Sequence, residues 1–199
     1  MMIKMNSYPE IEAEAQKCRK CPLSKTRKTV VFGSGPVPCD LMLIGEAPGA
    51  DEDEQGLPFV GKAGQLLTKI LESINIRRPD DIYITNTVKC RPPENRLPTE
   101  EETEACHPYL EAQIETIKPK IILLAGSAAT RLILKTDRPI GKLRGQWFKL
   151  PKTEIKVMPI FHPSYLLRNQ STAEGSPKWL MWKDMKELKA QIAKLKTKT

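Results

Sequence analysis

Apolar positions along the chain follow two different periods. Four short runs are apolar on consecutive residues: DLMLIG (40–45), DIYITNTV (81–88), KIILLAG (120–126) and IKVMPIF (155–161). Unbroken β-branched and aliphatic stretches fit strands covered on both faces, as in a parallel sheet flanked by helices. Helical spacing fills the intervals. AGQLLTKILESI (63–74) sets Leu66, Leu67, Ile70, Leu71 and Ile74 on one stripe, and SAATRLILK (127–135) follows the third run directly. TEEETEACHPYLEAQIETI (99–117) opens with Thr99 and Glu102 at capping-box spacing, and Pro108 is expected to interrupt it. The tail KWLMWKDMKELKAQIAKLK reads as a basic amphipathic helix whose Trp179, Leu180 and Trp182 pack on the sheet.

Alternation of strand and helix predicts one α/β sandwich with a parallel sheet, a single domain over residues 1–199. Ligands of such sheets bind beyond the carboxyl ends of the strands. GEAPG follows the first run, Asn86 lies near the end of the second, and FHPSYLLR follows the fourth. Three distant segments are therefore expected to meet at one edge.

Composition narrows the setting. No apolar run approaches the ~18 residues that span a bilayer, and the first residues carry no apolar core of a signal peptide, so the expected location is the cytoplasm, with the chromosome. Lys and Arg number 32 against 24 Asp and Glu, a net charge of +8 that favours a polyanionic partner.

Of the five cysteines, Cys18 and Cys21 form a C-x2-C pair, and Cys90 and Cys106 stand in separate polar settings. A disulfide framework does not suit the cytoplasm, whereas four thiolates from far-apart segments suit zinc or an iron–sulfur cluster. Zinc ribbons usually use two close pairs, so the spacing leans towards the cluster, although ligand type alone leaves both open. Cys39 reads as a small buried side chain, and His107 as a surface or capping residue.

The loop GEAPGADEDEQGLPFVGKAG (45–64) crowds five carboxylates beside Phe59 in a basic chain. Its GLPFVGKA imitates a phosphate-binding loop but fails as one. Ala63 stands where a hydroxyl would hold magnesium, Pro58 has no N–H, and the acids upstream repel triphosphate.

That loop, HPSYLLR and the four-cysteine spacing resemble the family 4 uracil-DNA glycosylases, the iron–sulfur type of thermophilic bacteria and archaea. The resemblance runs from Cys18 to about Arg168 and implies a three-layer α/β/α fold with a central four-stranded parallel sheet. It implies a [4Fe–4S] cluster on Cys18, Cys21, Cys90 and Cys106. The implied reaction flips uracil out of single- or double-stranded DNA and hydrolyses its N-glycosidic bond, leaving an abasic site. In that reading Phe59 stacks on the base, Asn86 reads N3–H and O4, and His162 donates to O2. Glu46 and Glu52, with Asp53 third, are candidates for positioning water or steadying the cationic sugar, because the aspartate of the wider superfamily is replaced by Ala47. The Glu46–Ala47 backbone walls the base near C5, and acids left over cap the helix beginning near Gly61. Tyr165, Leu166 and Leu167 are wedge candidates, and Arg168 a phosphate contact. Lys62, Arg91, Arg96, Lys142 and Arg144 are further candidates for the DNA backbone.

Alternatives are a superfamily member with shifted deaminated-base specificity, or a non-catalytic, metal-stabilised nucleic-acid-binding module. A covalently binding member is disfavoured, because KTDRPIGKLRG lacks a histidine. The expected assembly is a monomer, with no membrane contact and no readable sliding-clamp motif.

Overall fold

The computed structural model describes residues 7–196. The first six residues, which bear on the leader reading, and the last three lie outside them.

The four apolar runs all become parallel strands: β1 (Leu41–Gly45), β2 (Tyr83–Asn86), β3 (Ile121–Ala125) and, at the fourth run, Lys156–Ile160. The sheet nevertheless has five strands. A two-residue β4 (Phe148–Lys149) precedes β5 (Lys156–Ile160) and pairs with it antiparallel at the edge. Two residues are too few to show alternation, which is why the pattern misses it. Strand order is β2-β1-β3-β5-β4. The chain thus starts in the middle of the sheet and extends it to both sides, which opens a crevice at the carboxyl edge where the order reverses.

Helices fill the intervals. They are α1 (Tyr8–Gln16), α2 (Ala50–Gln55), α3 (Lys62–Glu72), α4 (Glu100–Ile117), α5 (Ser127–Leu134), α6 (Ile140–Leu143), α7 (Pro163–Arg168) and α8 (Pro177–Lys196). Alternate strand residues sort them into two layers. Leu41, Leu43, Leu123, Met158 and Ile160 pack with Leu67 and Leu71 of α3 and Met181, Met185 and Leu188 of α8. Met42, Ile44, Ile122, Leu124 and Val157 face the other way, onto Leu110 and Ile117 of α4 and Ala129 and Ile133 of α5. This is the expected α/β/α sandwich. A third, smaller cluster lies outside the sheet. It joins Ile11 and Ala15 of α1 to Val30, Phe32, Cys90, Cys106 and Tyr109.

Three expectations about the helices change. Pro108 does not interrupt α4, which runs through it to Ile117. The lost N–H bond is outweighed by the Thr99 capping box at one end and by buried Tyr109, Leu110, Gln113 and Ile117 beyond the proline. The acidic run 50–55 is itself a helix, α2, started by Gly49 and stopped by Gly56 in a left-handed turn (φ 71°). On α8 the buried apolar residues are Met181, Met185 and Leu188, whereas Trp182 is half exposed, with the Lys186 ammonium 3.7 Å above its ring. Leu180 does pack on the core from a partly buried position. Among the described residues no helix is long and apolar enough to cross a membrane.

Buried Asp184 on α8 pairs with Arg144, which follows α6, so the pair fastens the C-terminal helix beside the end of β5. Removing one partner strands the other charge. Asp184→Ala is expected to lower stability by about 3 kcal/mol, read from denaturant unfolding.

Candidate active-site cleft and cysteine cavity

The parallel register sets Gly45 at the end of β1 beside Asn86 at the end of β2. A Cβ on Gly45 would lie 2.3 Å from Asn86 Oδ1 and 2.7 Å from the Phe59 ring. Glycine is therefore what lets the amide and the ring close over the strand end. The following turn is stapled to β2's exit: Thr87 N–H donates to Gly45 O at 2.9 Å and Thr87 Oγ1–H to Glu46 O at 2.6 Å.

Phe59 adopts a left-handed backbone (φ 54°), a strained conformation for a bulky residue. Arg78 holds it there. Its Nη1 donates to Phe59 O at 2.9 Å and to Thr68 Oγ1 at 3.0 Å, and its Nη2 to Pro58 O at 2.8 Å. Gly64 completes the seat, because a Cβ there would stand 1.8 Å from Phe59 O. The ring is 7% exposed, packed against the core on one side and lining a cleft on the other.

The acids part company. Glu52 Oε1 accepts Val60 N–H and Gly61 N–H, both at 2.9 Å, and its Oε2 accepts Gly49 N–H at 3.1 Å. One carboxylate thereby caps the starts of both α2 and α3, where helix dipoles favour negative charge. Glu52 lines the cleft, and holding these two helix starts is the role its hydrogen bonds show. Asp53 is buried away from the cleft and accepts Lys28 N–H at 2.9 Å and Thr29 N–H at 3.1 Å, so it too is structural. Glu46 differs. Among the described residues no hydrogen bond or ion pair engages its carboxylate, and burial raises its pKa.

His162 leaves β5 and caps α7. Ser164 N–H donates to its Nδ1 at 3.2 Å, with Ser164 Oγ 2.8 Å from the same atom. An acceptor role at Nδ1 assigns the proton of the neutral ring to Nε2. Burial first, and then the Arg168 charge, lower its pKa to about 4, against a weaker opposing pull from Glu52. The ring centroid lies 5.7 Å from that of Phe59. Gly126 after β3, at φ 93°, lets His162 approach, since a Cβ there would meet His162 Cβ at 3.0 Å.

These groups share one cleft of about 920 Å³, lined among others by Glu46, Ala47, Phe59, Asn86 and His162. Asn86 is 2% exposed, and its buried Oδ1 has no hydrogen-bond partner among the described residues. Leaving such an atom unpaired costs about 1–3 kcal/mol, and a donor on a molecule in the cleft would relieve that cost.

Around the cleft, Tyr165 and Arg168 are exposed and Leu167 half-buried, but Leu166 is 1% exposed in the core and cannot serve as a wedge. Two of the candidate phosphate contacts are also committed elsewhere. Arg96 forms a two-pronged ion pair with Glu102 at 2.7 and 2.8 Å, and Arg144 pairs with Asp184.

Cys18, Cys21, Cys90 and Cys106 line one small cavity with Arg27 and Lys89. All cysteines are free. No three His, Cys, Asp or Glu side chains among the described residues converge tightly enough for a single metal ion. Donors nevertheless point at two of the sulfurs. Arg27 Nη1 donates to Cys90 Sγ at 3.1 Å and Lys89 N–H to Cys106 Sγ at 3.3 Å. The fully buried Lys89 ammonium donates to Thr85 Oγ1 and Asn86 O, both at 2.7 Å; burial lowers its pKa to about 8, against a weaker opposing pull from Cys106 and Cys90. Burial pushes the Cys90 thiol up to about 11, so thiolates here need a cationic partner. Four cysteines lining one cavity are a donor set of the kind a metal–sulfur group takes. Cys39 is buried apart from it, as expected, and His107 pairs with Glu111 on the same helix.

Arg78, Lys89, Arg27 and Ser164 escaped the sequence reading. Only Ser164 left a signal, as the second residue after a histidine that precedes a proline and opens a helix.

A sequence profile described as "Uracil DNA glycosylase superfamily" matches residues 32–186. A "Type-4 uracil-DNA glycosylase" of Thermotoga maritima is 46% identical over 165 residues, 81% of this chain and 83% of that one. One of Archaeoglobus fulgidus is 43% identical over 169 residues, 82% of this chain and 84% of that one. A "Type-5 uracil-DNA glycosylase" of Pyrobaculum aerophilum is more distant, 31% identical over 80% of this chain and 83% of its own.

The depressed pKa of His162 makes a pH prediction. Between its unfolded value of 6.5 and its folded value of about 4 the unfolded chain binds a proton that the folded chain refuses. Its contribution to stability is thus whole above the upper value and lost as pH falls through the window. The ring resonances of His162 are expected to stay unshifted from about pH 8 to about pH 5.5, where an ordinary histidine titrates.

Proposed function

The chain belongs to the type-4 uracil-DNA glycosylases of the uracil DNA glycosylase superfamily, and from that membership we propose that it removes uracil from DNA by hydrolysing the N-glycosidic bond. The observation that carries the proposal is the orphaned Oδ1 of Asn86, buried across from an aromatic ring and beside a histidine with a free donor.

Uracil flipped from DNA stacks on Phe59. Asn86 Oδ1 accepts its N3–H while Nδ2 donates to O4. Cytosine inverts both groups, so each would meet its like, and discrimination of this kind is large. The stapled Glu46–Ala47 backbone stands at C5, where thymine carries a methyl group. As the N1–C1′ bond breaks, its electron pair moves into the ring and onto O2, where the Nε2–H of neutral His162 donates. A neutral donor suffices, and the bond to Ser164 orients it in advance. Water attacks C1′ of the oxocarbenium-like sugar, and its proton passes towards Glu46, whose unengaged carboxylate supports that role and whose raised pKa makes it a better base. Glu52 acts one step back, holding the loop that carries Phe59.

Cys18, Cys21, Cys90 and Cys106 would hold a [4Fe–4S] cluster. The cluster would supply a structural centre that ties the N-terminal segment to the exit of β2. The partner is uracil-containing DNA, engaged through Tyr165, Leu167 and Arg168. In this reading the protein acts as a monomer, with the chromosome in the cytoplasm.

Two experiments test this. Purified protein should release uracil from a single-uracil oligonucleotide, read as strand cleavage after alkali. His162→Ala should lower the rate by about 10²-fold or more, and Asn86→Ala should do the same while relaxing the preference for uracil over cytosine. An intact oligonucleotide with wild type would overturn the reading. For the metal group, protein purified without oxygen should be brown and absorb in the visible range. Cys90→Ser should bleach it and lower the melting temperature, whereas a colourless wild type containing zinc would reject the cluster.

A further inference from the structure

The sequence reading put every wedge candidate on one side of the cleft, in the segment after β5. The opposite side carries an apolar side chain that nothing above uses. Leu97 is 65% exposed, the most exposed of the large hydrophobic residues, and it lines the same cleft as Asn86, Phe59 and His162. It stands on the loop that leaves β2, while Tyr165, 38% exposed, stands on the segment that leaves β5. With strands in the order β2-β1-β3-β5, these are the two ends of the crevice. The roots of the two segments lie three strand spacings apart, about 14 Å. Leu97 therefore does not duplicate Tyr165.

The loop that presents Leu97 is over-determined. Arg91 Nε donates to Asn95 Oδ1 at 2.8 Å, and the Arg96 backbone N–H to Pro93 O at 3.1 Å. The Arg96 guanidinium grips Glu102 at the head of α4 and also donates to Leu97 O at 2.9 Å. Glu102 itself belongs to the Thr99 capping box. A leucine on a loose loop would fold back onto its neighbours. Here the backbone on both sides of Leu97 is tied, with Pro98 following, and its side chain belongs to none of the three core clusters. A rigid mount that holds an apolar group in water at the rim of a ligand cleft fits a partner with an apolar interior reachable from its edge. Stacked base pairs are such a partner.

We infer that Leu97 is a second DNA-penetrating residue, which enters a bound duplex from the β2 side and holds open the stack from which the target nucleotide has left. The inference rests on the glycosylase reading. It assigns the loop between Cys90 and α4 to duplex engagement, and it gives the adjoining cysteine site a part to play, since Cys90 and Cys106 bracket this loop and its helical anchor.

A comparison of duplex and single-stranded substrates tests it, because a single strand has no base pairs to hold apart. Leu97→Ala should lower kcat/KM about tenfold on a duplex with one uracil and by much less on the same strand alone, with an unchanged melting temperature. Leu97→Met should restore most of the duplex rate. Val37→Ala, at an exposed apolar residue away from the cleft, should leave the duplex-to-single-strand ratio as in wild type. A fluorescent 2-aminopurine beside the uracil should brighten when wild type binds the duplex, and brighten less with Leu97→Ala. Equal losses on both substrates, or an unchanged ratio with unchanged fluorescence, would overturn the inference while leaving uracil excision standing. A wild type inert on both substrates would instead remove the glycosylase reading, and this one with it.

Discussion

The site depends on the register of two parallel strands. Because Gly45 is paired with Asn86, the end of β1 brings no side chain to the place where the end of β2 brings an amide. The Phe59 ring closes over that gap, and the whole recognition surface is built against it. A one-residue slip in this pairing would turn Asn86 to the other face of the sheet. The slip is prevented by two layers of core, since Leu41 and Leu43 must face α3 and α8 while Met42 and Ile44 face α4. Hydrophobic burial thus fixes where a polar atom is left without a partner.

An acidic loop in a basic chain looks contradictory until each carboxylate is followed to its partners. Glu52 and Asp53 accept backbone N–H groups, and these bonds hold the loop in shape without opposing the charge of the rest of the surface. Among the described residues no hydrogen bond or ion pair engages the carboxylate of Glu46, which lines the cleft. The half-buried cation Arg78 works from behind, as a donor to carbonyl oxygens rather than to an acid. Its guanidinium geometry suits two adjacent carbonyls, and so it keeps Phe59 in a backbone conformation the residue would otherwise leave.

Much of this was legible beforehand because it depends on local pattern. The four parallel strands, the capping box at Thr99 and the meeting of Asn86 with His162 all follow from period, spacing and strand order. What was hidden depends on three-dimensional neighbours. The number of N–H groups that converge on Glu52 is set by the return of the chain at Val60 and Gly61, not by the residues beside it. Leu166 and Leu167 are indistinguishable in sequence, and only the face of α7 turned to the core buries the first. Pro108 was read by a local rule that buried contacts further along α4 overrode. The edge strand β4 was too short for any periodicity.

Lys89 has one further consequence. Its ammonium hangs between the sulfur-lined cavity and the backbone oxygen of Asn86. It also donates to Thr85 Oγ1, so a single desolvated ammonium knots the last two residues of β2 together from beneath, and removing it would loosen the strand's end without touching the apolar layers of the sheet.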